Sequence, residues 1–284
     1  MGALGEGRFA ILRTMEFVVR VVVVAAVIYL GVVGLVYIVQ RQLQYFPDGR
    51  MYSPLEAGVP EMSIVRFPSA DGLELISWHY AAATGAPTVI YFQGNTGNIA
   101  GRGANIRPWI EVGYGVLLVG YRGYGGGDGR PTEQGLYDDG RGAIAYVRGL
   151  GVQPHQIALY GESMGSGVAV KMAVEHDIGG VILEAPFTSA VDVGARAYPI
   201  FPVRWLMKDR FDSLSRIADI DAPLLIIHGE ADRTIPVSHG RQMLAAAREP
   251  KRGVFVAQAS HNDLRAYGAN AVILEFLGKT FPRE

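Results

Sequence analysis

Residues 157–175 read IALYGESMGSGVAVKMAVE, and this stretch carries the strongest indication of how the chain folds. Ile157–Tyr160 is a short apolar run typical of a buried strand, and Val168–Glu175 has helical spacing. Between them Gly161–Gly165 forms a G-x-S-x-G pattern, whose glycines avoid a collision with neighbouring backbone. The order of strand, sharp turn and helix predicts that Ser163 is lifted out of the end of a sheet, where its hydroxyl is open to reaction.

The chain around this pattern alternates strand-like and helix-like segments. Met62–Phe67 and Glu74–Tyr80 flank the turn pair Asp71-Gly72, which predicts an antiparallel hairpin. Buried-strand runs follow at Thr88–Phe92, Val116–Val119, Ile157–Tyr160, Val181–Leu183, Leu224–Ile227 and Gly253–Val256. Helical spacing separates most of them, at Leu136–Arg148, Val168–Glu175 and Val237–Arg248. The alternation predicts an α/β fold with a mostly parallel, eight-stranded sheet and helices on both faces.

One interval, about 187–222, breaks this alternation because it has no strand signal. Its stretch Tyr198–Trp205 concentrates apolar and aromatic residues. A long insertion in a compact domain is usually functional, which favours a short cap over the site, although an ordinary packed helical excursion fits as well. Tyr198, Phe201 and Trp205 are therefore the candidate substrate-binding residues.

A serine hydroxyl needs a base to become a nucleophile, and the base needs an acid that fixes its tautomer. His261 follows the last predicted strand and Asp232 follows the preceding one, so both are expected near Ser163 at the carboxyl edge of the sheet. The chain order serine, aspartate, histidine is that of an α/β-hydrolase. Glu184, at the end of its own strand, is the alternative acid, and Asp263 is expected to cap the final helix.

Such a site also needs an oxyanion hole, which is a pair of backbone N–H groups aimed at a developing negative oxygen. Met164, directly after the predicted nucleophile, is expected to supply one N–H. Asn95, in the glycine-containing turn Gln93–Asn98 after a buried strand, is expected to supply the other. A turn with no catalytic part is the alternative for this segment.

Composition and motifs exclude several other classes of protein. The formal net charge of −1 gives no broad footprint for nucleic acid, and the absence of cysteine excludes thiolate sites and a cysteine nucleophile. The sequence has no metal-ligand spacing and no phosphate-binding glycine motif, so no metal and no cofactor are expected. The glycine-rich stretch Tyr121–Gly129 is instead predicted to be a tight loop, in which Arg122 and Tyr124 brace neighbouring turns.

The amino-terminal segment, residues 1–44, is predicted to hold one transmembrane helix at about 21–39, followed by a catalytic domain over 45–284. The run is uncharged and spans about 28 Å as a helix, close to a bilayer core of roughly 30 Å. It is too long for a signal peptide and lacks a small-residue cleavage site, and it shows no polar face as a soluble helix would. The arginines favour a cytoplasmic amino terminus and an extracytoplasmic, periplasmic domain, since three precede the run and two follow it: Arg8, Arg13 and Arg20, then Arg41 and Arg50.

With these residues assembled, the chain resembles the α/β-hydrolase superfamily, and in particular its membrane-anchored serine hydrolases. That branch includes the depalmitoylating α/β-hydrolase-domain proteins of eukaryotes, the Bem-type proteins and bacterial relatives. The likeness runs from about Tyr45 to the carboxyl terminus and rests on the motifs Tyr91–Asn98, Tyr121–Gly125, Pro131–Glu133, Gly135–Tyr137, Gly161–Gly165, Glu184–Ser189, His228–Glu230 with Asp232, and His261–Asp263. Two positions depart from it: Gln93 stands where histidine is usual, and Asp128 where serine is common.

The resemblance implies a membrane-anchored serine hydrolase that cleaves an ester or thioester through an acyl-enzyme. Ser163 would be the nucleophile, His261 the base and Asp232 the acid that orients it. The expected partners are a lipid bilayer and a small-molecule or acylated-protein ester. Two alternatives stay open, namely a serine peptidase of the same fold and a membrane-tethered scaffold that has lost turnover.

Overall fold

The computed structural model describes residues 3–283, and it describes side chains from Leu12 onward except that of residue 14. The side chain of Arg8, which entered the argument on orientation, therefore lies outside the described residues. The chain divides into two compact units, Met1–Leu43 and Gln44–Glu284.

Helix α1 (Ala3–Gln44) accounts for the first unit and extends beyond the predicted run at both ends. Its stretch Met15–Gln44 is long and apolar enough to cross a membrane. Its apolar side chains are largely exposed, as at Val22 and Ile28, unlike those of a helix in a soluble core.

Ten strands lie within the described residues. They are β1 (Phe46–Pro47), β2 (Ser63–Pro68), β3 (Glu74–Tyr80), β4 (Thr88–Phe92), β5 (Thr96–Gly97), β6 (Gly115–Leu118), β7 (Ile157–Glu162), β8 (Gly180–Glu184), β9 (Leu224–Gly229) and β10 (Lys251–Val256). β1 and β5 pair in parallel, and the other eight form one sheet in the order β10-β9-β8-β7-β4-β6-β3-β2. Only β3 runs antiparallel to its neighbours, β2 and β6, so the predicted hairpin and mostly parallel eight-stranded sheet are confirmed.

Seven helices follow α1 in the described part of the chain. They are α2 (Gly103–Glu111), α3 (Glu133–Gly149), α4 (Met164–Glu175), α5 (Ala190–Ala197), α6 (Val203–Leu206), α7 (Val237–Ala246) and α8 (Ala269–Thr280). Short 3₁₀ turns occur at Ile99–Arg102, Pro154–Gln156, Ile217–Asp219 and Leu264–Tyr267. The predicted cap interval therefore holds α5, α6 and one 3₁₀ turn.

The sheet has a packed apolar layer on each face. On one face α3, α4 and α7 contribute Leu136, Val168 and Met243 to a buried cluster. On the other face α2 and α8 contribute Trp109 and Ile273 to a second cluster. Because both faces are covered, every residue of β4, β6, β8 and β9 is buried, which explains why these strands read as continuous apolar runs.

The structure corrects the prediction for Asp263 and adds elements that the pattern did not reveal. The residue before α8 is Gly268, and Asp263 instead accepts a hydrogen bond from the Ser260 N–H at 2.6 Å, ahead of a 3₁₀ turn. Helix α2 was not predicted because glycine and Pro108 interrupt its pattern. The two-residue strands β1 and β5 are too short to show any periodicity.

We expect Gly165→Ala to lower the free energy of unfolding by about 3 kcal/mol, because a Cβ there would collide with the Phe92 carbonyl in the buried centre of the sheet. The midpoint of thermal unfolding of the full chain in detergent should fall by roughly 5–10 °C. Gly149→Ala is the matched control, since Gly149 also lies in a helix but its Cβ would meet no heavy atom within 4 Å. Equal midpoints for the two variants would contradict the close packing of α4 on β4.

Candidate active site

Ser163 sits at the junction of β7 and α4 in a strained backbone conformation. Its φ is 50° and its ψ is −116°, a combination that a non-glycine residue rarely adopts. The Ser163 N–H donates to the Glu184 carbonyl of the neighbouring strand at 2.8 Å, and its carbonyl accepts from the Ser166 N–H at 2.9 Å. The turn can be this tight because Gly161 has no side chain, whereas a Cβ at that position would collide with the backbone of Gly165.

Ser163, His261 and Asp232 form a continuous hydrogen-bonded chain. His261 Nε2 lies 3.0 Å from Ser163 Oγ, and His261 Nδ1 lies 2.6 Å from Asp232 Oδ2. A carboxylate only accepts hydrogen bonds, so Nδ1 carries the hydrogen and Nε2 of the neutral ring is free to accept the serine proton. The three residues come from the carboxyl ends of β7, β9 and β10, which lie along one edge of the sheet.

Asp232 is buried and held by more than its bond to His261. Its Oδ1 accepts from the N–H groups of Thr234 and Ile235, each at 2.8 Å, and His228 Nε2 lies 3.3 Å from Oδ2. Burial raises the pKa of the Asp232 carboxyl, but the hydrogen bonds from His228, His261 and the backbone outweigh it and hold that pKa well below its usual range. Asp232 is therefore an anion at neutral pH. The contact with His228 had no signal in the sequence beyond its place at the end of a strand.

Glu184, the alternative acid, has different partners. Arg265 Nη1 donates to Glu184 Oε1 at 2.9 Å, and the Tyr160 hydroxyl donates to its other oxygen. Of the two candidate acids, Asp232 is therefore the one that is hydrogen-bonded to His261, whereas Glu184 is paired with Arg265.

The turn Gln93–Asn98 lies against Ser163, since a Cβ on Gly94 would be 3.7 Å from the serine Cβ. Asn95 forms hydrogen bonds through its carbonyl and both polar atoms of its side chain, whose Oδ1 accepts from the Thr96 hydroxyl at 3.2 Å. Its carbonyl accepts from the Phe46 N–H at 2.9 Å and from the Tyr124 hydroxyl at 2.8 Å, and its side-chain Nδ2 donates to the Gln44 carbonyl at 2.8 Å. None of these bonds uses the Asn95 N–H. Met164, the other predicted donor, is the first residue of α4.

Tyr124 thus braces a neighbouring turn as predicted, and Arg122 does the same elsewhere. The Arg122 guanidinium pairs with Asp71 at 2.8 Å and with the buried Asp139 at 2.7 Å. These contacts fasten the glycine-rich loop to the hairpin β2–β3 and to helix α3.

A partly buried ion pair connects the turn of Ser163 to the turn of Asn95. Arg102 Nη2 donates to Glu162 Oε1 at 2.8 Å and its Nε donates to Oε2 at 3.1 Å, while its Nη1 donates to the Thr96 carbonyl at 3.4 Å. Burial raises the pKa of Glu162, but Arg102 outweighs it, so the pKa lies below the usual range and the pair is ionic. Because Glu162 directly precedes Ser163, Arg102 links the turn of Ser163 to the turn of Asn95. Nothing in the sequence indicated this role of Arg102.

The three candidate substrate-binding residues lie on and between α5 and α6. Trp205 exposes 85% of its surface and Tyr198 exposes 50%, while Phe201 is half-buried. Among the described residues no hydrogen bond or ring contact joins them to the triad. In the same part of the chain no group of three or more His, Cys, Asp or Glu side chains could hold a metal ion.

Comparisons with known proteins agree with this architecture. No family model matches the chain. The chain is 39% identical over 246 residues to the protein Rv2307c of Mycobacterium tuberculosis, a match that covers 86% of this chain and 88% of that one. It is 36% identical over 154 residues to the human Alpha/beta hydrolase domain-containing protein 17B, covering 54% of this chain and 52% of that one.

Two solved structures show the same fold at low sequence identity. The esterase Pf2001 of Pyrococcus furiosus is 21% identical with a TM-score of 0.67, over 84% of this chain and 98% of that one. The alpha/beta hydrolase GrgF of Penicillium is 19% identical with a TM-score of 0.65, over 78% and 99%.

Asp232→Asn should lower the free energy of unfolding at neutral pH by about 2 kcal/mol, because charge-assisted bonds to a buried carboxylate are replaced by weaker ones. The carboxyl pKa is lower in the folded than in the unfolded chain, whose value is about 3.9. The stabilising effect of the carboxylate is therefore complete above about pH 4 and is lost as the pH falls further. In denaturant unfolding at pH 7, 5 and 3.5, the difference in unfolding free energy between wild type and variant should become smaller at the lowest pH. A difference in unfolding free energy that is constant with pH would contradict the depressed pKa of Asp232.

Proposed function

We propose that the chain, which has the α/β-hydrolase fold, is a serine hydrolase of that superfamily and cleaves an ester or thioester. The observation that supports this is the hydrogen-bonded chain from Ser163 through His261 to Asp232. The geometry needs no rearrangement to move a proton from the serine hydroxyl to the imidazole.

In the proposed reaction Ser163 Oγ attacks the acyl carbon as His261 Nε2 takes its proton. The carbonyl oxygen becomes an oxyanion, and the buried Asp232 carboxylate stabilises the imidazolium that forms. His261 then gives the proton to the departing alcohol or thiol as the carbon–oxygen or carbon–sulfur bond breaks. Water, deprotonated by His261, attacks the acyl-enzyme, and collapse of the second tetrahedral intermediate returns Ser163 and releases the carboxylic acid.

The oxyanion is proposed to bind the N–H groups of Asn95 and Met164. The Met164 N–H belongs to the first turn of α4, where the helix dipole adds positive potential. The bonds to the carbonyl and side chain of Asn95 leave its N–H available and restrict the rotation of its peptide planes. A donor that is fixed in advance does not have to reorganise as charge develops, which is the main source of its effect on rate.

The finer assignment is the membrane-anchored branch of the superfamily. It is supported by the motif resemblance and by the apolar helix Met15–Gln44. We propose a single-pass anchor with the catalytic domain on the extracytoplasmic side, following the excess of arginine before the helix. Tyr198, Phe201 and Trp205 would contact the acyl chain of a lipid-like or acylated substrate.

Labelling with a fluorophosphonate probe tests the nucleophile. The full chain in membrane fractions should be labelled, and Ser163→Ala should abolish the signal because no other serine has an imidazole 3.0 Å from its hydroxyl in the described residues. Ser215→Ala, at an exposed loop serine, is the control and should label like wild type. Equal labelling of wild type and Ser163→Ala, or of neither while both unfold cooperatively, would favour the scaffold alternative. Faster turnover of peptide amides than of aryl esters would favour the peptidase.

Tyr124→Phe tests the oxyanion turn. Loss of the hydroxyl bond to the Asn95 carbonyl should lower kcat for a short-chain aryl ester about fivefold, matching one hydrogen bond of about 1 kcal/mol, with KM within twofold. Tyr146→Phe is the control, because Tyr146 lies in helix α3, where its ring stacks on Phe67 of strand β2, and its substitution should leave kcat unchanged. A change in KM alone would show that Tyr124 acts on substrate binding and not on the transition state.

A further inference from the structure

The α5–α6 connection bears a ridge of exposed apolar side chains, which we call the cap ridge and define as Tyr198, Ile200 and Trp205. They expose 50%, 71% and 85% of their surfaces. The other two tryptophans of the protein, Trp78 and Trp109, are buried. Three large apolar residues this exposed within eight positions are unusual on a soluble surface and indicate that another apolar medium covers them.

Most backbone N–H groups of the cap ridge already donate to protein carbonyls, so few of them need water as a partner. Pro199 and Pro202 have no N–H. Six backbone N–H groups in and beside the connection donate to carbonyls between positions 194 and 203, and they belong to Tyr198, Phe201, Val203, Trp205, Leu206 and Met207. Bonds such as Val203 N–H to the Phe201 carbonyl, at 2.8 Å, keep the turn compact. A segment whose donors are satisfied internally enters a medium of low polarity at a reduced cost.

The charged side chains around the cap ridge are mostly basic. Between positions 196 and 210 the exposed charges are Arg196, Arg204, Lys208 and Arg210, and the single acid, Asp209, is buried. Asp192, just before this stretch, pairs with Arg204 at 2.8 Å. Long basic side chains beside exposed tryptophan and tyrosine are typical of segments that lie in the headgroup region of a membrane.

We propose that the cap ridge docks on the surface of an anionic lipid bilayer, with Trp205 and Ile200 at the level of the upper acyl chains and the basic side chains on the lipid phosphates. Charge favours this occupant over an apolar protein groove, because the basic side chains around the contact outnumber the acidic ones even after Arg204 pairs with Asp192. A bilayer is also the surface that lies close to a chain whose helix Met15–Gln44 is long and apolar enough to cross a membrane. Docking requires no turnover, so it stands independently of the proposed hydrolysis, although the same side chains would meet the acyl chain of a bilayer-embedded ester.

Tryptophan fluorescence provides the test, because the apolar helix contains no tryptophan and Trp205 is the exposed one of three. The full chain carrying Ser163→Ala is reconstituted in vesicles of phosphatidylcholine and phosphatidylglycerol whose acyl chains are either brominated or not. We expect brominated chains to quench about a third or more of the emission, which is the share of one tryptophan in three. Trp205→Phe should remove most of this quenching, with its thermal midpoint within about 2 °C of the parent because an exposed side chain contributes little to stability.

Two further measurements separate docking on anionic lipid from contact with a bilayer of any charge. Quenching should weaken when phosphatidylglycerol is omitted or when salt is raised to about 0.5 M, since screening removes the attraction of the arginines. Emission that is identical with brominated and ordinary lipid, or quenching that survives Trp205→Phe unchanged, would overturn the proposal. Quenching that is present at full strength in uncharged vesicles would overturn its electrostatic part. Because the Ser163→Ala protein is used throughout, failure of this test leaves the labelling result untouched, and the reverse also holds.

Discussion

The strained backbone at Ser163 is the constraint on which the rest of the site depends. A residue with a φ of 50° keeps that conformation only where its neighbours leave no alternative. Here β7 lies between β4 and β8, the Glu184 carbonyl holds the Ser163 N–H, and helix α4 approaches β4 so closely that only glycine fits at position 165. The central sheet thus fixes the direction of one hydroxyl.

The other parts of the site are placed relative to that hydroxyl by polar contacts over long sequence separations. Asp232 holds His261, and the Arg102–Glu162 pair connects the turn of the serine to the turn of Asn95. Buried ionic groups of this kind contribute little net stability, but they define one arrangement, because any displacement leaves a charge without its partner. The site therefore combines a rigid apolar scaffold with charged links at its edge.

The sequence was sufficient for the features that have local signals. The G-x-S-x-G pattern between a strand and a helix predicted the turn at Ser163, and the places of Asp232 and His261 after the last strands predicted residues that the fold brings together. What it lacked were contacts between distant residues with no periodic signature, such as Arg102 with Glu162 and Gln44 with Asn95. Asp263 was misplaced because capping propensity cannot distinguish a 3₁₀ turn from the helix that follows it.

The contacts of Asn95 have a practical consequence for preparing the second compact unit, Gln44–Glu284, without the apolar helix. Gln44 and Phe46 are structural parts of this unit, because the Gln44 carbonyl accepts a hydrogen bond from the Asn95 side chain and the Phe46 N–H donates to the Asn95 carbonyl. The Asp48 N–H donates to the Gly97 carbonyl. A fragment that keeps these contacts should therefore begin at or before Gln44. One that begins at Asp48 would omit strand β1, expose the edge of β5 and lose the bonds that the Gln44 carbonyl and the Phe46 N–H make to Asn95, so the turn of Asn95 would be less restrained than in the full chain.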